Sequence, residues 1–437
     1  MTEPTSKPDP TSSKPLPPNV YQLDAPAAPD TPPLAGSLRT SVAIIGGGIV
    51  GLTTALHLAE AGVDVTVLEA QEPGWGASGN NGGQLNPGLK FDPDVIEASY
   101  GPDLGARMVA FAYDTPNRTL ALIKRLGIAC EARQNGTLRV AYSARAVGGV
   151  EATARQCIAR GMPVTMLDRE KVAEATGTER YLAAMRDSRG GDVNPLAYIR
   201  GLAKAALAAG AKIHGRTHVR VLQQTLAGWA LQTDSGTVQA EKILIATNGF
   251  TDDLWSGLRR TIVPVFSAIA ASAPLPSELA RRILPARSSV YESGRITVYY
   301  RVDAHDRLLI GGRGPMRPIS HPGDIAYLTD YAKRLWPELA GQSWTHGWNS
   351  RLAMTQDHWP HLHEPAANAL IYLGCNGRGV ALGTAIAEQL AARLIKGAAA
   401  ELDLPIVSQK TIRFHGLWPL AVLSVVLHGR LMDRLGL

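Results

Sequence analysis

The sequence predicts an α/β fold organised around a dinucleotide-binding unit. Three observations lead there. The chain has 437 residues, enough for two or three domains. Hydrophobic residues make up 45% and charged residues 19%, so the bulk of it can bury a large core. And the first ordered stretch reads as strand, glycine turn, helix, strand, acid.

That unit begins near Ser41. Val42–Ile45 is a continuous apolar run, as expected of a strand buried on both faces of a parallel sheet. It leads into Gly46-Gly47-Gly48-Ile49-Val50-Gly51, a G-x-G-x-x-G match. A helix is expected from about Leu52 to Ala61, stopped by Gly62, and then a strand Val63–Leu68 ending at Glu69. Gly46 permits the tight turn, Gly48 lets a pyrophosphate approach the backbone, and Gly51 lets helix and strand pack closely. The helix start offers free N–H groups and a positive dipole end to phosphates. Glu69, 18 residues after Gly51, suits a ribose diol and disfavours a 2′-phosphate, against NADP. The pattern is thus Rossmann-like, and by itself leaves FAD and NAD open.

Composition removes other classes. The net charge is +6, but no block of five or six Lys/Arg exists, which argues against a nucleic-acid arm. An anionic small ligand fits this mild excess. Cys130, Cys157 and Cys375 are odd in number and widely spaced, excluding a disulfide framework or a C-x-x-C metal knuckle, and a reducing cytoplasm is the expected compartment. Ten of the 29 prolines lie in residues 1–40 among many Ser and Thr, so residues 1–38 read as a disordered tail without the features of a secretory signal. No 18-residue apolar run is present. The nearest, Leu417–Leu427, reads as a helix packed on the body rather than an interfacial membrane contact.

Residues 74–84 carry five glycines, Gly74, Gly76, Gly79, Gly82 and Gly83. Such a stretch is neither packed strand nor helix; its backbone approaches something closely or takes positive φ. Here the chain resembles the D-amino acid oxidase (DAO) superfamily of FAD-dependent oxidoreductases, and within it the bacterial γ-glutamylputrescine oxidase-like amine and amino-acid oxidases. Their G-A-S-G-x-N-G-G-Q loop, which passes the isoalloxazine ring, is matched by Ala77, Ser78, Asn81, Gly82, Gly83 and Gln84, while Asn80 stands where relatives often have Arg. The resemblance extends over nearly the whole chain after residue 20. Val219 matches the position whose backbone touches adenine, and Thr247-Asn248-Gly249 resembles the turn beneath the FAD. Trp348–Pro360 resembles W-x-G-R-x-x-x-T-x-D-x-x-P, with Ser350 in place of Gly. Gly374-Cys375-Asn376-Gly377-Arg378-Gly379-Val380 forms the second flavin loop, opening a helix to Ile395 whose positive end suits the reduced flavin.

The resemblance implies a Rossmann-like FAD-binding domain (39–100, 165–250 and 345–402) interleaved with an antiparallel-sheet substrate domain (101–164 and 251–344), then a C-terminal extension (403–437). It implies FAD, non-covalently bound: residues 74–90 hold no His, and Cys375 reads as unlinked. The substrate-side candidates are Tyr299, Tyr300 and Arg301 on a hairpin strand, with Tyr299 and Arg301 sharing one face, against a reading as ordinary sheet surface. Arg351 and Arg313 suit a carboxylate clamp, though Arg351 is equally suited to pairing with Asp357. His346, His358, His361 and His363 lack the acids of a metal site, and no metal is expected. The chemistry implied is oxidation of a C–N bond by hydride transfer to flavin N5, with hydrolysis of the imine and electrons passing to O2 or another acceptor. A secondary amino acid (pipecolate, proline, an N-methyl amino acid) is an alternative substrate, and a 2-hydroxy acid a weaker one. A flavin-binding subunit of a larger complex is the alternative of another class.

Overall fold

Continuous apolar strands set the frame of the computed structural model, which describes residues 14–294 and 296–435. Val42–Ile45 is the buried end of strand Gly36–Ile45, which lies between two parallel neighbours, Val65–Leu68 and Gly236–Ile245. Lys212–His214 and Ala369–Leu373 extend the parallel sheet on either side, and His361–Ala366 closes it as an antiparallel edge. A two-stranded ribbon, Val219–Thr225 and Gly228–Thr233, branches from Gly236–Ile245. Helices Ile49–Glu60, Pro195–Ala208 and Gly379–Lys396 supply core residues against it, among them Leu52, Leu56, Leu202, Ile386 and Leu390.

The second sheet has eight strands in the order 344–355, 262–274, 307–313, 299–302, 289–292, 137–141, 183–187, 164–167. All neighbours are antiparallel except Ser289–Glu292 with Thr137–Ala141. Its own core gathers Tyr300, Trp336, Leu308 and Ile310. A short pair, Gln84–Leu85 with Gly191–Asp192, lies between the sheets in sequence and links the glycine loop to the turn before helix Pro195–Ala208.

The structure corrects the expected boundaries in three places. Strands Val164–Leu167, Ala183–Asp187 and Trp344–Thr355 join the second sheet, although residues 165–250 and 345–402 were expected in the FAD-binding domain. Strand propensity does not say which sheet a strand joins; the partner edge does.

Second, residues 14–38 are not a disordered tail; residues 1–13 lie outside the described residues. Val20 and Tyr21 are buried in the main core. The Tyr21 ring meets Trp348 edge-on at 5.3 Å and its hydroxyl donates to the Asn81 carbonyl at 2.8 Å. Asn19 Nδ2 donates to Asn80 Oδ1, and Asp24 pairs with Arg307 and His305. Proline-rich chain cannot build a sheet or helix of its own, but as an extended strap its few large side chains can still dock.

Third, most of the described apolar side chains of helix Trp418–Leu435 are not packed on the body. Leu420, Leu423, Val425 and Leu427 are each more than half exposed, and only Val426 among the described leucines and valines of this helix is buried. A local apolar run specifies a helix but not a surface to receive it. No helix among the described residues is long and apolar enough to cross a membrane. Truncation after Leu417 is therefore expected to change stability by no more than ~0.5 kcal/mol, as for surface positions, and to move the midpoint of thermal unfolding by less than about 2 °C. A larger loss in a differential scanning calorimetry trace would mean that the helix is covered.

Candidate active site

Two helix N-termini open on one cavity of about 710 Å³. The first begins at Ile49, where Gly48 lies in extended conformation ahead of the helix. A Cβ on Gly51 would stand 2.0 Å from the Gly46 carbonyl oxygen, and Gly46 itself has φ +110°. The turn therefore closes only with glycine at both places. The second helix begins at Gly379. The two starts pack together: a Cβ on Gly383 would meet Val50 at 3.1 Å and Ile49 at 3.6 Å.

Side chains from distant segments hold this floor. Glu69 Oε2 accepts from Gly47 N at 2.6 Å and Oε1 from Gln71 N at 2.9 Å, while burial pushes its carboxyl pKa up. Ser78 Oγ accepts from Ile49 N at 3.0 Å. Asn81 Nδ2 donates to the carbonyls of Ala77 and Ser78, and its Oδ1 accepts from Gly83 N, so one amide folds the glycine loop on itself. Gln84 Nε2 donates to the carbonyls of Val290 and Tyr300 and ties that loop to the second sheet. Asn248 Oδ1 accepts from Gly374 N at 3.0 Å, and its Nδ2 donates to Cys375 Sγ at 3.3 Å. Asn376 Oδ1 accepts from Thr355 N, and Nδ2 donates to the Gly374 carbonyl. Arg378 donates to the Pro87 carbonyl and lies over the Tyr291 ring at 5.5 Å. Thr247 Oγ1 bonds Thr251 Oγ1, and Val219 is buried at the start of its ribbon, close in sequence to Thr217, whose N–H donates to the Glu69 carbonyl.

Of the residues that sequence assigns to the cofactor, Gly48, Ile49, Val50, Ala77, Ser78, Asn81, Gly82, Gln84, Asn248, Asn376, Gly377, Arg378, Gly379 and Val380 line this one cavity. Gly46, Gly51, Glu69, Gly83, Val219, Thr247 and Gly374 do not line it. The donors suit a dinucleotide: the N–H groups of Val50 and Gly51 lie in a first helical turn, where no intrahelical partner exists, and the glycine at 48 leaves room for a diphosphate.

The roof is the second sheet. The Tyr299 ring fills the space over two glycines: a Cβ on Gly82 would reach it at 2.7 Å and one on Gly311 at 2.2 Å. Its hydroxyl lies 2.8 Å from Ser267 Oγ, and burial raises the phenol pKa, so it stays protonated. Tyr299 faces the cavity, and Tyr300 points into the sheet's own core, where it donates to Tyr181.

Two expected substrate residues are elsewhere. Arg301 is buried and does not line the cavity. It donates to the Gly82 carbonyl at 2.7 Å and the Val193 carbonyl at 3.1 Å, pairs with Asp192 at 3.1 Å, and lies over the Tyr21 ring. It is thus a positioning residue beneath the glycine loop. Arg351 is turned away too. Ser350, Leu352 and Met354 line the cavity, and strand alternation sends Arg351 to the opposite face, over the Phe250 ring at 4.5 Å. Its suggested partner Asp357 bonds His361 instead. Sequence reasoning missed Lys90, Arg139 and Tyr291 on the cavity wall. Arg139 sits on a strand that alternation would have oriented, but Lys90 is in a loop with no periodic signal.

A strand–turn–helix dinucleotide cradle roofed by a second sheet defines a nucleotide-binding protein of mixed α/β fold. A family model described as "DAO: FAD dependent oxidoreductase" matches residues 41–393, and the chain belongs to that family. It is similar to gamma-glutamylputrescine oxidoreductase of Escherichia coli (strain K12), with 30% identity covering 92% of this chain and 94% of that protein. It is also similar to a probable oxidoreductase, OrdL, of Rhizobium meliloti (strain 1021), with 31% identity covering 88% and 89%. Among solved structures, glycine oxidase from Geobacillus kaustophilus superposes with a TM-score of 0.73 at 24% identity, covering 86% of this chain and 100% of that one.

Proposed function

We propose that this enzyme oxidises a C–N bond of an amine or amino acid, with a γ-glutamylputrescine-like amine favoured. The observation that carries the reading is the single cavity shared by two helix N-termini, two glycine loops and the Tyr299 face of the second sheet. The likeness to gamma-glutamylputrescine oxidoreductase supports the substrate class. FAD, when bound, supplies the hydride acceptor, so the protein needs no acid–base residue at the reacting carbon. Ala77–Gln84 and Gly374–Val380 would hold the cofactor on the cavity floor, and Val219, Glu69 and the turn at Gly46–Gly51 would take its adenosine and diphosphate. The helix starting at Gly379, with Arg378, supplies positive potential. Tyr299 packs the substrate from above, its hydroxyl oriented by Ser267. Orientation of this kind is worth up to several kcal/mol.

FAD is held non-covalently. Cys375 is half-buried in the cavity lining, desolvation holds its pKa up so that it is a thiol rather than a thiolate, and Asn248 donates to its sulfur. Acid precipitation is therefore expected to release the yellow colour; colour retained in the pellet would overturn this. The enzyme works in the cytoplasm and passes its electrons to O2 or another acceptor. The main test is an anaerobic screen of flavin bleaching. γ-Glutamylputrescine or another amine is expected to bleach the flavin, and bleaching by 2-hydroxy acids alone would sink the reading. Bleaching of the isolated protein also separates an enzyme from a subunit whose chemistry lies elsewhere.

A further inference from the structure

The cavity carries more positive charge than its own acids balance. Three acids line it, and each is engaged. Asp92 pairs with Arg139 at 3.1 Å. Asp187 takes Arg189 through two bonds of 2.9 and 2.6 Å. Glu292 accepts from the hydroxyls of Tyr181 and Tyr331. Of the cations on the wall, Arg139 is held by Asp92, Thr153 and Ser293, and Arg378 by the Pro87 carbonyl and the Tyr291 ring. Arg145, in the first turn of helix Ala144–Ala159, is outside the group of charges that act on Lys90.

Lys90 and Arg313 remain. Both line the cavity, and neither side chain makes a hydrogen bond or ion pair among the described residues. Lys90 lines the cavity from an exposed position; partial desolvation by the surrounding wall, then the charges of Arg378, Arg313 and Arg139, hold its ammonium at about 8 instead of 10.5. Burial lowers the Arg313 pKa as well. Like charges brought together in a partly desolvated wall are unfavourable until an anion joins them.

Strand register locates this pair. Tyr299 is opposite Gly311, and Arg313 is two residues further along the same strand. Residues i and i+2 share a face and are about 7 Å apart. The free guanidinium is therefore one strand step beyond the Tyr299 ring. Arg351, the other expected clamp, is on the opposite face.

We propose that Lys90 and Arg313 form an anion subsite in this cavity, and that the substrate is an amine bearing a carboxylate several bonds from the nitrogen that is oxidised. The inference rests on the reading of the cavity as an amine-oxidising site and adds the substrate's second charged group.

The test compares γ-glutamylputrescine with its decarboxylated twin, γ-aminobutyrylputrescine, in the flavin-loaded full-length enzyme. Charge-assisted hydrogen bonds predict a kcat/KM preference of about 10- to 100-fold for the carboxylated amine. In Lys90→Met, Arg313→Met and the double variant that ratio is expected to fall towards 1, with the change in KM rather than kcat. Lys90→Arg is expected to restore it, which a merely structural lysine would not require. Flavin content reports whether each variant is folded. In parallel, glutarate is titrated against the visible flavin spectrum. The wild type is expected to show a saturable perturbation, and the double variant to need at least about tenfold more glutarate. A ratio near 1 in the wild type, or one that survives in the double variant, overturns the subsite. If neither amine bleaches the flavin, the amine-oxidase reading fails, and the glutarate titration still decides the subsite.

Discussion

Arg301→Met is expected to destabilise the protein by about 3–5 kcal/mol, the usual cost of removing one partner from a buried ion pair. Asp192 is 1% exposed, and it receives Arg301 at 3.1 Å and Arg133 at 2.6 Å. Without Arg301 it keeps one cation, while the carbonyls of Gly82 and Val193 lose their donor. The loss is therefore felt in two properties. Urea unfolding should show a lower midpoint at unchanged slope, and the glycine loop at Asn81–Gln84 should hold its flavin less well. Arg301→Lys retains the charge but not the fork that reaches Asp192, Gly82 and Val193 together, so it is expected to recover only part of the stability. If Arg301→Met folds with wild-type stability but fails to bind substrate, Arg301 acts at the substrate and the positioning role is wrong.

Gly51→Ala is expected to give a protein almost free of FAD. Its new methyl would sit 2.0 Å from the Gly46 carbonyl oxygen and 3.2 Å from Ile44 Cγ2. The oxygen is backbone in the turn itself and cannot swing aside, so helix Ile49–Glu60 must move off the strand. Overpacking of this kind costs about 1–3 kcal/mol or more, and the displacement falls on the N–H groups that face the diphosphate. An affinity loss on the order of 100-fold follows from about 3 kcal/mol. The flavin-to-protein absorbance ratio of purified material, followed by titration of the apoprotein with FAD, measures it. A full complement of FAD in Gly51→Ala would contradict the close-packed turn.

Much of the cofactor half was legible in the chain because its signals are local. A strand, a glycine turn and a helix start occupy consecutive residues, and glycine at 46 and 51 answers a steric demand made within a few ångströms. The loop at 74–84 stood out for the same reason, although against expectation Ala77–Asn80 within it forms a single helical turn around Gly79. The strand alternation that puts Tyr299 and Tyr300 on opposite faces was also readable, whereas the pairing of Tyr299 with Gly311 came from the structure.

What the chain could not declare was which face of a strand looks at the cavity and which distant segment fills a gap. Arg351 illustrates the first: one step of strand register separates a carboxylate clamp from a cation lying on Phe250, and the register is set by pairing with strand Ile262–Pro274. Tyr21 illustrates the second. Its composition places it in a proline-rich stretch, yet Trp348, Arg301 and the Asn81 carbonyl make a site for it from three remote parts of the chain. The sequence by itself determined the dinucleotide cradle, because backbone sterics and helix-end dipoles act over a few residues. Only the tertiary structure decided that Lys90 and Arg313 share a cavity wall, because charges 223 positions apart in the chain are brought together by sheet pairing and loop packing alone.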